Sequence, residues 1–206
     1  NRSGWHGGGT NTRWVRTAGD APAVLQELAA SCDTARVMPF LDGIPCSIHG
    51  IVFPDSTAVL RPCEMLVLRK PGQADLHYAA AGTFWDPPDA DRRTMREVAR
   101  WVGDHLRDTV GYRGVFTIDG VLAAEGFRPT ELNPRFGAAI GTMARGLPRL
   151  HLYLLHLALM EGEPGPGPHH MGLRYAEVAD TKAAWSRVDE AGLAPRVEGK
   201  STCCWA

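Results

Sequence analysis

The sequence predicts an α+β protein in which antiparallel strand pairs are flanked by helices. Three features carry that prediction. Strand-like runs at residues 46–53 and 57–69 are joined by Pro54-Asp55-Ser56, a hairpin signal. Between Asp89 and Val110, apolar residues recur at Met95, Val98, Ala99, Val102 and Leu106, which is the spacing of one helix face. Gly111 stands where a C-terminal helix cap belongs. Beyond it, residues 112–118 are rich in β-branched and aromatic side chains, and residues 121–124 and 128–132 read as the strands that follow, with turns expected at Gly120 and at Glu125-Gly126.

The remaining elements follow in order. A glycine-rich loop occupies residues 4–9, and residues 12–17 read as a short strand. Residues 22–30 read as a helix, with Asp20 near its start and Pro22 in the first turn, where the missing N–H costs nothing. Residues 35–40 are a candidate strand, and Asp42-Gly43 marks a turn. Residues 82–88 are loop. A helix is expected at residues 137–146 and a strongly apolar one at 148–160. A stiff Gly/Pro linker covers residues 162–168, with an α/β appendage after it. The stripe on residues 89–110 reads as core, not as a cofactor box.

Composition narrows the function classes. A formal net charge of -1 lacks the basic excess of a nucleic-acid binder. No apolar run approaches the roughly 20 residues of a membrane span, and no signal peptide is visible. The five cysteines form no C-x-x-C pair and no disulfide framework, so buried free thiols in a cytoplasmic protein are expected. The chain starts without Met and ends abruptly, so a fragment of a longer protein is expected.

The segment with chemistry in it is Glu131-Leu132-Asn133-Pro134-Arg135, together with Asp119. Glu131 and Asn133, two apart on one strand, face the same side, and a hairpin brings Asp119 beside them. Two carboxylates and an amide oxygen, with phosphates completing the shell, suit Mg²⁺ or Mn²⁺, which prefer hard oxygen ligands. Arg135 continues the alternation, and its planar guanidinium can clamp a carboxylate or phosphate. Taken singly, each of these residues reads as a polar sheet edge; taken together they read as a site.

This stretch, with residues 114–119 ahead of it, resembles the ATP-grasp superfamily. The spacing is similar to its carboxylase and purine-biosynthesis branches. The resemblance implies an ATP-grasp fold of antiparallel sheets flanked by helices, here truncated at its N-terminus. It implies Mg²⁺ held by Asp119, Glu131 and Asn133, and Arg135 as the catalytic contact to a carboxylate or transferring phosphoryl group. Gly7, Gly8 and Gly9 match in type the loop over the β- and γ-phosphates, where free backbone N–H groups are the physical asset. Met38, Pro39, Phe40, Leu41 and Asp42 resemble the hinge that holds adenine; without that context the same segment is equally a buried strand end. Where the family usually has a ribose-bonding Glu this chain has Pro45, and Asp42 is the acid at hand. The family's α-phosphate lysine and N-terminal domain would lie upstream of Asn1.

The resemblance divides the chain into a lid part (1–36), a metal-bearing subdomain (37–161) and the appendage (162–206). It implies an ATP-dependent carboxylate–amine ligase working through an acyl phosphate, with ATP, a carboxylate and an amine as partners and homodimerisation left open. Residues 41–50 and 60–65 look similar to ligases that join amino acids or peptides. A phosphotransferase and a non-catalytic ATP-binding module are the alternatives.

Other polar residues read both ways. Arg61, Glu64, Arg69 and Lys70 fit a phosphate-facing strand, Arg61 best, or a charged strand edge; Arg61 and Arg69 would share a face of a regular strand. His49 reads as a satisfied structural histidine, and the aromatics of residues 82–87 as a hydrophobic plug. His169 and His170 have no accompanying ligand cluster.

Overall fold

The structure, a computed structural model, describes residues 12–69, 71, 76–145, 151–162 and 184–186. The chain forms two compact units. The first takes in residues up to Leu41 together with Leu66–Ala79, and the second comprises Asp42–Met65 and Ala80–Ala206. The excursion through Leu66–Ala79 into the first unit is absent from the division expected at residues 37 and 162.

In the first unit, α1 (Ala21–Ala29) follows a short turn in which the Asp20 carboxylate accepts the Thr17 N–H at 2.9 Å and its hydroxyl at 3.0 Å. The expected strand at residues 12–17 reduces to a single bridge at Arg13, and the one at 35–40 makes no ladder. Trp14 organises this stretch instead. Phe40 stacks on it at 4.6 Å, and the Arg16 and Arg69 guanidiniums lie 4.7 and 4.2 Å from its ring centroid.

The sheet has the order β6-β5-β1-β3-β4-β7, with β2 paired to β1 off that path. Its strands are β1 (Gly43–Val52), β2 (Thr57–Val59), β3 (Cys63–Leu68), β4 (His77–Gly82), β5 (Gly114–Ala123), β6 (Gly126–Asn133) and β7 (Ala184–Ser186). The pairings β1–β2, β1–β3, β1–β5, β4–β7 and β5–β6 are antiparallel. The run expected across residues 57–69 is split at Leu60-Arg61-Pro62, because Pro62 has no N–H to give a ladder. Arg61 and Arg69 therefore do not share a regular strand. Gly120 is not a turn: β5 runs straight through it, and the irregularity appears as a register shift between Asp119 and Gly120. The turn at Glu125-Gly126 is present, with Gly126 at φ 102°.

The long helix, α2 (Asp89–Val110), has the expected bounds. Asp89 and Asp91 in its first turn and Arg107 in its last complement the helix dipole, and Gly111 caps it at φ 66°. Met95 and Ala99, with Val98, Val102 and Leu106, pack on Cys46, Ile48, Phe116 and Ile118 of β1 and β5. Trp85 of the preceding loop joins this cluster, as the plug reading expects. Helix and sheet touch closely at Gly103, where an added Cβ would sit 2.8 Å from Thr57 Oγ1 and 3.0 Å from the Phe116 ring. Gly103→Ala should therefore destabilise the fold by about 1–3 kcal/mol through overpacking. A lower urea midpoint with an unchanged m-value is the expected result; an unchanged midpoint would contradict this packing.

The opposite sheet face carries α3 (Ala138–Arg145) and α4 (Leu152–Met160), which bury Ile140, Met143, Leu152 and Leu159. His156 of α4 accepts the Val115 N–H at 3.0 Å. Cys46 and Cys63 are buried free thiols, and Cys32 is a half-buried one. Among the described residues, no helix is long and apolar enough to cross a membrane. His169 and His170 and most of the appendage lie outside the described residues.

Candidate active site

The site is built on the β5–β6 pair of the second unit, and strand register accounts for it. Asp119 stands directly opposite Glu131, and Thr117 opposite Asn133. Directly opposed like charges repel. Burial first, then the Glu131 charge, pushes the Asp119 carboxyl up to about 6, and the Arg135 charge only partly offsets this. Asp119 lies in the middle of β5, not at its end, where the turn expected at Gly120 would have put it.

Asn133 ends β6 and is buried. Its Nδ2 donates to Asp119 Oδ2 at 3.0 Å, and its Oδ1 accepts from Arg135 Nη2 at 3.1 Å. Arg135 does not reach this position by strand alternation. Pro134 interrupts the ladder, and the chain folds back so that the Arg135 N–H bonds the Asn133 carbonyl at 2.8 Å. Arg135 is otherwise exposed, with Nη1 on the Phe136 carbonyl at 3.1 Å. Asp119, Glu131, Asn133 and Arg135 thus come together as the sequence predicts.

The donor types are those a divalent cation takes. Two carboxylates stand opposite each other on adjacent strands, and their mutual repulsion adds to the burial that raises the Asp119 carboxyl. Their oxygens, with the Asn133 amide oxygen, are the hard ligands Mg²⁺ accepts. Among the described residues, no group of three or more His, Cys, Asp or Glu side chains is placed to hold a metal ion, so this set depends on its amide member.

The other predicted residues are distributed as follows. Met38 and Phe40 are exposed, 50% and 58%, and with Pro39 and Leu41 they close the first of the two segments of the first unit; Asp42, exposed, begins the second unit. Gly7, Gly8 and Gly9 lie outside the described residues. Arg61 is buried, and its guanidinium pairs with the Asp86 carboxylate and donates from Nε to the Thr83 carbonyl at 3.1 Å. These bonds tie the segment between β2 and β3 to the loop ahead of α2.

Sequence reasoning missed the support beneath the site. Thr117 and His49 face the site side of the sheet, with His49 Nδ1 and Thr117 Oγ1 sharing a hydrogen bond at 2.8 Å. Burial drives the His49 imidazole down to about 3, so it is neutral, which matches its reading as a satisfied structural residue. Phe136 packs edge-on against Tyr153 and His156 of α4. The alternation Ser47, His49 and Thr117, Asp119 is visible in the sequence; the register that joins the two pairs is not.

No family model and no curated protein sequence matches the chain. Solved structures do. The N5-carboxyaminoimidazole ribonucleotide synthetase of Thermus thermophilus is similar at 16% identity and TM-score 0.53, over 74% of this chain and 39% of that one. The biotin carboxylase domain of a single-chain bacterial carboxylase is similar at 19% identity and TM-score 0.59, over 84% and 37%. The 2-oxoglutarate carboxylase biotin carboxylase domain dimer of Hydrogenobacter thermophilus, solved with MgADP and bicarbonate, is similar at 11% identity and TM-score 0.59, over 77% and 35%. The chain has the ATP-grasp fold: an antiparallel sheet with flanking helices, shared with these enzymes. It spans well under half the length of each.

Proposed function

We propose that this chain carries the metal and phosphate half of an ATP- and Mg²⁺-dependent carboxylate–amine ligase. The observation that carries the reading is the opposition of Asp119 and Glu131 on β5 and β6, with Asn133 and Arg135 hydrogen-bonded beside them. When bound, MgATP supplies the phosphoryl group and neutralises the phosphate charge. Asp119, Glu131 and the Asn133 amide oxygen would hold the cation. Ligation through Asn133 Oδ1 would replace its bond to Arg135, and the guanidinium would then be free to orient a substrate carboxylate or the transferring phosphoryl group.

The reaction has two steps. A carboxylate oxygen forms a bond to the γ-phosphorus as ADP leaves. An amine nitrogen then attacks the acyl carbon, phosphate leaves and the amide remains. The chain's contribution is position and preorganised charge. Met38, Pro39, Phe40 and Leu41 would receive adenine, Asp42 the ribose, and Arg61 and the Gly7, Gly8, Gly9 loop the phosphates. The exposure of Met38 and Phe40 supports the first of these. An amino acid or peptide is the proposed acid or amine, on the likeness of residues 41–50 and 60–65.

Hydroxylamine tests this, since it captures an acyl phosphate as a hydroxamate. The full-length protein, given MgATP, an amino-acid mixture and hydroxylamine, should form hydroxamate in step with ADP and phosphate. A stable phosphorylated product without hydroxamate would point to a phosphotransferase and overturn the ligase reading. ATP binding with no turnover under any acceptor would point to a binding module.

A further inference from the structure

The site face of the sheet carries two cross-strand rows. One runs Cys63, Ser47, Asp119, Glu131 across β3, β1, β5 and β6; the other runs His49, Thr117, Asn133 across β1, β5 and β6. The first row ends in the carboxylates. The second ends at Asn133, the last residue of β6 before the turn that carries Arg135.

We infer that the His49–Thr117 pair is a positioning device for the Arg135 guanidinium. The inference rests on the reading of Arg135 as the anion-contacting residue. The two ends of the Arg135 turn meet the same support. At one end, Asn133 stands opposite Thr117 in the ladder. At the other, Gly137 lies so close that an added Cβ would sit 2.5 Å from Thr117 Oγ1 and 2.9 Å from His49 Cε1. A side chain does not fit there unless the hydroxyl and imidazole move. Phe136, wedged on Tyr153 and His156, fixes the turn from a third side.

His49 and Thr117 are themselves held. Both are buried, 1% and 3% exposed, and the second ring nitrogen of His49 lies 3.5 Å from Cys63 Sγ, which in turn is 2.9 Å from Ser47 Oγ. The imidazole thus has a partner at each nitrogen and cannot turn without leaving a buried polar atom unpaired. The order of support runs from Ser47 and Cys63 through His49 and Thr117 to Gly137 and Asn133, and so to Arg135. His49 and Thr117 touch no reacting atom in this scheme; they act through the turn.

Thr117→Val removes the hydroxyl at nearly constant shape. Amide hydrogen exchange in the full-length protein reads the turn directly, because the Arg135 and Ile140 N–H groups bond the Asn133 and Gly137 carbonyls. Exchange at these two amides should rise about tenfold in Thr117→Val, stay slow in Thr117→Ser, and leave α2 unchanged as a reference. Mg²⁺-dependent ATP turnover should fall by roughly 10–100-fold in Thr117→Val, recover in Thr117→Ser, and show no further fall when Thr117→Val is added to Arg135→Ala. Gly137→Ala provides a second variant, with the same local acceleration and the same dependence on Arg135 expected. Unchanged exchange at Arg135 and Ile140, or an equal effect of Thr117→Val with and without Arg135, would overturn the inference. The exchange arm does not require turnover. A wild-type protein without ATP turnover therefore counts against the ligase reading, separately from the support of the turn.

Discussion

Glu131→Ala in the full-length protein should abolish Mg²⁺-dependent ATP turnover while leaving the fold as stable as before or more so. The two halves of this result have one origin. Glu131 faces Asp119 across the ladder, and its charge helps raise the Asp119 carboxyl. Removing it relieves a repulsion in the metal-free protein, and Glu131 is itself exposed, so no core is lost. On the proposed reading, however, the cation would lose one of its two carboxylates. A metal acting on a transferring phosphoryl group is worth several kcal/mol, so the loss in turnover should be on the order of 10³-fold. Turnover measured beside thermal unfolding checks both halves. Wild-type turnover in the variant would sink the metal assignment; a large drop in melting temperature would show Glu131 to be structural.

The second large effect is on pH. Asp119 has its carboxyl raised from 3.8 to about 6. A raised carboxyl binds its proton more tightly in the folded state than in the unfolded chain. Its contribution to stability is therefore full below the unfolded value and is lost as pH rises through about 6. For the metal-free protein the loss is about 3 kcal/mol between those limits. Cation binding has the opposite sign, since it requires the ionised form. The apparent Mg²⁺ affinity should be flat above about pH 7 and fall about tenfold per unit below about pH 6, as one proton competes for the site. Titration calorimetry at several pH values measures the slope. In Asp119→Asn the slope should vanish along with most of the affinity; an unchanged slope there would assign the proton to another group.

Much of the fold was legible because its signals are local. The α2 stripe and Gly111 gave that helix its true bounds, and the strand-like run at 46–53 marked the buried part of β1. The misreadings have physical reasons too. Gly120 has the composition of a turn, yet β5 continues through it, because the missing side chain leaves room for the Phe127 ring and the Arg128 carbonyl of β6. Strand β4 went unread because Ala79-Ala80-Ala81 carries no β-branched or aromatic signal; its neighbours in the sheet supply the ladder. Asp119, Glu131, Asn133 and Arg135 were legible from spacing, since one hairpin joins them. His49 and Thr117 were not, since they are 68 residues apart and meet only through the β1–β5 register.

That register ties the integrity of the site to assembly of the interior. On β1 and β5, residues alternate between the α2 core and the site: Ile48 and Ile118 point one way, Ser47, His49, Thr117 and Asp119 the other. A slip by one residue would drive His49 and Asp119 into the apolar layer and lift Ile48 and Ile118 onto the site face. Such a molecule would leave α2 without an apolar face to pack on and bury a carboxylate without a partner. Proofreading of the ladder is therefore built into collapse itself: a chain that has packed α2 has, by the same act, aligned its carboxylates.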